Sequence, residues 1–245
     1  MLQPVFGRER ELQLLRGKLQ QRRSFLLHGP SGVGKSLLLH SLLPEFPSLL
    51  ACADSSAPHA VFCSLTLALA AQRDSLLLSR LGMAPESAIR KKTASALRGI
   101  VLAVLKQARY ECVLDSPGFV AQPFAAHIRQ IAEVAPLVVI ARSVHMEDLG
   151  FLLPMFPGRA DRFELRNFSP PVALEFAQNS AGRIGLQAGN LEAFLEYVAE
   201  VSAGNPGTIA AMVAMAQQPR YRRAGNILSN PLYIDLRLGR SAMPA

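Results

Sequence analysis

The sequence predicts an α/β fold in three layers, with a mainly parallel sheet and a small helical lid after it. Three observations predict it. The first is Gly29-Pro30-Ser31-Gly32-Val33-Gly34-Lys35-Ser36, which fits G-x-x-x-x-G-K-[ST] and stands between an apolar run, Ser24 to His28, and a helical one, Ser36 to Leu43, stopped by Pro44. Strand, glycine loop and helix are the setting that makes this motif a phosphate-binding P-loop. The second is a pair of later apolar runs, Tyr110 to Asp115 and Pro136 to Ala141, separated by helical patterns, as strands of a buried parallel sheet are. The third is the break at Asn167-Phe168-Ser169-Pro170-Pro171, after which the patterns are helical. The core is thus expected over residues 1–168, the lid over 169–218, and a basic tail over 219–245.

Composition bounds the remaining choices. The 245 residues are 50% hydrophobic, enough for one α/β domain with a small second one. Lys and Arg number 26 against 18 Asp and Glu, a formal charge of +8 that attracts polyanions such as nucleotides or nucleic acid. No apolar run approaches the roughly 20 residues of a membrane span, so no membrane partner is expected. Met1-Leu2-Gln3-Pro4 lacks the charged and apolar regions of a signal peptide. Cys52, Cys63 and Cys112 lack metal-ligand spacing and read as reduced, buried thiols of a cytoplasmic protein.

The loop's chemistry follows from its residue types. Glycines 29, 32 and 34 permit a tight backbone whose N–H groups can turn inward on phosphates, and the following helix adds its positive end. Lys35 is expected to reach the β- and γ-phosphates and the Ser36 hydroxyl to ligate Mg²⁺. The nucleotide cradle is taken as Gly29, Pro30, Ser31, Gly32, Val33, Gly34, Lys35, Ser36 and Leu37.

In chain order, Leu12, Leu15 and Leu19 fall at helical spacing behind Val5-Phe6-Gly7-Arg8-Glu9. Residues 44–58 are expected as a Pro- and Ser-rich loop, Ala60 to Ser64 as the second core strand, and Leu65 to Leu81 and Ser87 to Arg109 as helices. Arg90, Lys91, Lys92, Arg98, Lys106 and Arg109 make the last of these basic, either a solvated face or a nucleic-acid patch. Tyr110 to Asp115 ends in a carboxylate, the Walker B pattern, where Asp115 holds the Mg²⁺ shell or else simply opens the turn Ser116-Pro117-Gly118. Gln122 to Val134 is a helix, Pro136 to Ala141 a central strand, and Arg159 to Leu165 the last strand. Beyond Pro171 come three helices, 171–181, Leu191 to Ser202 with Asn190 as its N-cap, and Thr208 to Gln217. Leu232 to Leu238 alternates strictly, a half-buried strand that either docks on the body or stays open for a partner.

Phe6-Gly7-Arg8-Glu9 before the P-loop, Asp115 at its strand end and Gly204-Asn205-Pro206 before a helix together resemble AAA+-related ATPases, especially the STAND and archaeal-type families. The resemblance spans about residues 5–217. It implies ATP and Mg²⁺ as cofactors, Gly7 and Arg8 near the adenine, Pro206 packing on it from the lid, and Arg142 as the sensor of the γ-phosphate at the end of the 136–141 strand. Lys35, Asp115 and Arg142 are then the catalytic set, and Ser36 and Asp115 the metal ligands. One position departs from the pattern. Those families carry an acid directly after the Walker B aspartate, and this chain has Ser116, a poor general base.

The expected function is therefore an ATP-binding protein, a Mg-dependent ATPase or an ATP-driven conformational switch, with turnover slowed by Ser116. The alternatives are a nucleic-acid-associated ATP-binding module, motivated by the charge, and a non-hydrolysing nucleotide scaffold, motivated by Ser116. A protein partner or homo-oligomer is open in each.

Overall fold

The computed structural model describes residues 5–82 and 84–239; the opening four residues, on which the signal-peptide expectation rests, lie outside them. The chain divides into two compact units. One holds Arg10–Gly29 and Lys35–Leu165; the other holds residues 5–9, Pro30–Gly34 and 166–239.

The first unit is built on a five-stranded sheet. In chain order it comprises α1 (Glu9–Gln20) from its second residue on, β1 (Phe25–His28), α2 (Lys35–His40), β2 (Leu49–Cys52), α3 (Pro58–Ala71), α4 (Ser75–Leu81), α5 (Glu86–Arg90), α6 (Ala94–Gln107), β3 (Glu111–Asp115), α7 (Gln122–Ala132), β4 (Leu137–Ala141), α8 (Met146–Leu149) and β5 (Arg162–Glu164). The strand order is β2-β3-β4-β1-β5, and every neighbouring pair is parallel. Parallel strands need helices on their faces, which explains why β4 and the middle of β3, Cys112 to Leu114, are continuously apolar rather than alternating: both faces are covered. The core runs from Leu26 and Leu50 through Phe62, Val101, Leu114, Ile128 and Val139 to Phe156, all buried. This is the α/β P-loop NTPase fold that the sequence predicts.

The second strand lies elsewhere than expected. Ala60 to Ser64 falls inside α3, and β2 occupies Leu49–Cys52, within the stretch read as loop. An apolar run of five residues has no period that separates a buried strand from a buried helix. Pro58 at the first helical position settles it locally, because its fixed φ suits a helix start. The two long helices expected next are each divided. Asp74 caps α4 by accepting from the Leu77 N–H at 2.9 Å, and Thr93 caps α6 by accepting from the Ala96 N–H at 3.3 Å. Each cap satisfies N–H groups that a continuous helix would have bonded within itself, so each starts a new helix.

The second unit contains α9 (Pro170–Arg183), α10 (Leu191–Val201), α11 (Pro206–Met215), a two-stranded antiparallel ribbon of β6 (Arg222–Arg223) and β7 (Asn226–Ile227), and α12 (Ser229–Arg237). Its core is Ala173, Ala177, Phe194, Val198, Ile209, Met212, Tyr221 and Leu232, with Phe6 packed against it. Asn190 stands at the start of α10 but does not cap it. Its side chain donates to the Ile227 carbonyl at 2.9 Å and accepts from the Ile227 N–H at 2.8 Å, so it fastens the ribbon instead.

The tail strand expected over Leu232 to Leu238 is a helix, α12. Alternation is a weak signal over seven residues, and here only one of the four apolar side chains is in the core. Leu232 is fully buried, whereas Ile234 is 55% and Leu238 58% exposed. The Tyr221 hydroxyl, from the preceding turn, donates to Asp235 at 2.9 Å and fixes the helix from its side. Leu232→Ala is accordingly expected to cost about 2–5 kcal/mol of stability, and Ile234→Ala to change it by less than about 0.5 kcal/mol. Denaturant midpoints of the two variants check this; equal costs would mean that α12 is not anchored through Leu232.

Candidate functional site

Parallel pairing sets the geometry of the first unit's site. His28 is level with Ala141, and Asp115 is level with Ile140, so the carboxyl ends of β1, β3 and β4 reach one edge of the sheet together. β1 runs out into Gly29, β3 ends on Asp115, and β4 is followed by Arg142. Open α/β sheets bind ligands at this edge.

Lys35 begins α2 and is only 7% exposed. Its ammonium donates to the Gly29 carbonyl at 2.7 Å, closing the loop across its own base. Burial pulls its pKa below that of a free lysine; Asp115 opposes the fall, Arg142 adds to it, and Asp148 again opposes it. Asp115, Arg142 and Asp148 are thus the charged groups that bear on Lys35. Asp148, in α8, carries no sequence signal: it belongs to no motif and follows the strand by seven residues. Ser36 is half-buried and Leu37 exposed on α2.

Ser116 has a defined place. Its backbone adopts φ of +50°, in the left-handed region, and its N–H donates to the Ile140 carbonyl at 2.9 Å. The side-chain hydroxyl donates to Asp115 Oδ1 at 2.9 Å. Ser116 therefore orients the aspartate, occupying one of its oxygens and leaving the other available. A hard cation fits this chemistry. Mg²⁺ is held by one or two carboxylates plus substrate phosphates, rather than by an all-protein cage, and among the described residues no cluster of three or more His, Cys, Asp or Glu could make such a cage.

The second unit holds the tip of the P-loop, Pro30–Gly34, together with Gly7, Arg8 and Pro206. Gly32 has φ of +78°, and a Cβ there would come within 2.7 Å of Asn205 Oδ1, so both conformation and space demand glycine. Arg8, 5% exposed, donates to the Arg166 carbonyl at 2.7 Å and to the Val33 carbonyl at 3.4 Å, with its guanidinium 4.3 Å over the Phe168 ring. Gly7 packs so closely that a Cβ would meet Val172 at 3.0 Å. Pro206 is half-buried at the start of α11. Asn205, which the sequence reading quotes in its Gly-Asn-Pro turn without giving it a role, has one here. Its Oδ1 caps α11 by accepting from the Thr208 N–H at 3.1 Å, while its Nδ2 donates to the Ser31 carbonyl at 2.9 Å. Its sequence signal is the asparagine of Gly-Asn-Pro-Gly, which reads equally as a plain helix cap.

A parallel sheet of this order with a strand–P-loop–helix unit, and an aspartate at the end of β3, defines a P-loop NTPase fold. The model of the AAA ATPase domain family matches residues 4–150, more than half of the chain, and the protein belongs to that family. ATP binding and ATPase activity are the properties that this membership supports. No curated protein matches the sequence. Among solved structures, the fold is similar to a Walker-type ATPase of Pyrococcus abyssi, with a TM-score of 0.65, 16% identity, and coverage of 96% of this chain and 74% of that one. It is similar to Cdc6p of Pyrobaculum aerophilum (TM-score 0.59, 15% identity, 98% of this chain and 66% of that one). It is also similar to the Orc1 protein of Aeropyrum pernix in complex with DNA (0.63, 14%, 96% and 65%). The chain spans just under two thirds of the last two.

Proposed function

We propose that the protein binds Mg-ATP through Gly29 to Leu37 and acts as a slow ATPase or ATP-driven switch. The core is residues 1–168, the lid 169–218, and the tail 219–245. The observation that carries the reading is the charge arrangement at Lys35: a buried ammonium, closed on the Gly29 carbonyl, lies in the fields of Asp115 and Arg142 at the carboxyl edge of the sheet. Lys35 neutralises the β- and γ-phosphates, Ser36 and Asp115 hold Mg²⁺, and Arg142 forks onto the γ-phosphate oxygens. Gly7, Arg8 and Pro206 serve the adenine end. When bound there, Mg²⁺ would supply positive charge that offsets that of the phosphates. Ser116 donates its hydroxyl to Asp115, and a hydroxyl of ordinary basicity is a poor general base, which supports slow turnover. The three free, buried cysteines suit a reducing, cytoplasmic setting.

A second reading, a nucleic-acid-associated ATP-binding module, is favoured by the +8 charge and by the likeness to an Orc1 protein in complex with DNA. One experiment tests both. ATP affinity and turnover are measured with and without Mg²⁺, then with duplex DNA at rising salt. Micromolar Mg-ATP binding with slow turnover is expected. DNA affinity falling steeply with salt supports the second reading, because phosphate contacts release counterions. No ATP binding in either condition removes both.

A further inference from the structure

We infer that Asn205 and Gly207 are positioning residues for phosphate binding, holding the P-loop backbone in its phosphate-accepting orientation from the lid. Three successive carbonyls at the tip of the loop accept hydrogen bonds from outside it. Ser31 O accepts from Asn205 Nδ2 at 2.9 Å, Gly32 O from the Gly207 N–H at 2.9 Å, and Val33 O from Arg8 Nη2 at 3.4 Å. All of these groups lie within the second unit.

The consequence follows from peptide geometry. In a planar trans peptide the C=O and the N–H point in opposite directions. The Ser31 carbonyl shares its peptide with the Gly32 N–H, the Gly32 carbonyl with the Val33 N–H, and the Val33 carbonyl with the Gly34 N–H. Holding the three carbonyls outward therefore turns the N–H groups of Gly32, Val33 and Gly34 the other way, into the concave side of the loop. The Val33 N–H already faces the Pro30 carbonyl across that interior, at a long 3.4 Å. Successive N–H groups turned into one concavity form an anion site.

The grip is built tightly. Asn205 is 9% exposed and uses its whole amide: Nδ2 donates to Ser31 O and, at 3.3 Å, to Asn167 Oδ1, while Oδ1 caps α11 through Thr208. Asn167 in turn donates to the Ala203 carbonyl at 3.1 Å. Gly207 has no room for a side chain, since a Cβ there would stand 2.9 Å from both Gly32 Cα and Gly32 O. The glycines of the lid turn and of the P-loop thus meet backbone to backbone. Because coupling is reciprocal, phosphates that favour this P-loop orientation must also strengthen the lid contacts. The inference rests on the nucleotide-binding reading given above.

Asn205→Asp separates the grip from the cap. The aspartate still accepts from the Thr208 N–H but sets an oxygen against the Ser31 carbonyl. Gly207→Ala instead wedges the two backbones apart while favouring the helix. Both variants are expected to melt within a few degrees of the parent and to bind ATP about tenfold more weakly, the scale of one lost hydrogen bond with its displaced partner. Amide exchange provides the readout that a merely structural role would not move. In the parent, ATP should slow exchange at Gly207 together with Gly32 to Gly34. In Asn205→Asp, the Gly207 response should vanish. Parent-like ATP affinity in both variants, or a Gly207 amide that exchanges at open-loop rates in the nucleotide-free parent, overturns the inference. A parent that binds no ATP overturns the nucleotide reading itself, and the two failures are distinguished by the parent alone.

Discussion

Lys35→Ala is expected to weaken ATP binding at least a hundredfold, about 3 kcal/mol, while leaving the melting temperature within a few degrees of the parent. The size follows from the setting. Lys35 is buried, its ammonium donates to the Gly29 carbonyl, and burial pulls its pKa below that of a free lysine. A buried ammonium gains most from phosphate oxygens brought against it, and truncating one partner of a buried charge pair costs about 2–5 kcal/mol. The small effect on folding has a different basis from the one the sequence offers. The motif alone makes Lys35 an exposed loop cation; the structure makes it a buried one. Its removal loses a hydrogen bond to Gly29 O worth about 1 kcal/mol but also relieves the desolvation of an ammonium, and the two offset. Titration of labelled ATP with thermal melts checks both halves. Undiminished affinity rejects the P-loop assignment; a folding collapse with no folded population would show that the Gly29 bond, not the phosphate contact, is the lysine's main role.

Asp115→Asn is expected to lower Mg-dependent turnover by a factor of a hundred or more and to weaken Mg-ATP binding by about tenfold, with metal-free ATP binding unchanged or slightly tighter. A neutral amide in place of a carboxylate removes charge from a hard-cation ligand without changing its shape. It also removes a negative charge that favours the protonated form of Lys35, so the effect without metal is a balance of small terms. The Ser116 hydroxyl can still donate to the amide oxygen, which keeps the side chain in place and confines the loss to charge. Affinities measured with Mg²⁺ and with a chelator check the split. Equal losses in the two conditions would reject Asp115 as the metal ligand.

Much of the sheet was legible in the residues. Phe25–His28, Glu111–Asp115 and Leu137–Ala141 are strands close to the ranges expected, because each is a short apolar run bounded by clear breakers. Leu49–Cys52 was not, since four residues between prolines look like loop until a neighbour pairs with them; Leu50 is level with Cys112 only in the assembled sheet. Arg8 was placed by resemblance alone; that its guanidinium bonds two protein carbonyls and lies over Phe168, contacts separated from it by 25 to 160 positions of chain, left no trace in local spacing. Asn190 and Asn205 show the limit from both sides. Each stands before a helix, but only Asn205 caps one through its side chain, because Ile227 competes for the amide of Asn190. The tail's alternation suited a strand, and the pocket that accepts Leu232 selected a helix.

By itself the sequence determined the glycine loop, the strand that ends on Asp115, the absence of an acid after Asp115 and the order of sheet and helical patterns, all of which are local: residue type at fixed spacing dictates backbone freedom and hydrogen-bonding capacity within a few positions. Only the tertiary structure decided which apolar run becomes β2, and that Asn205 and Gly207 bond to the carbonyls of Ser31 and Gly32. Those outcomes depend on groups far apart in the chain. The free energy of a buried polar contact is set by which partner arrives to satisfy it, and spacing along one segment carries no record of that partner.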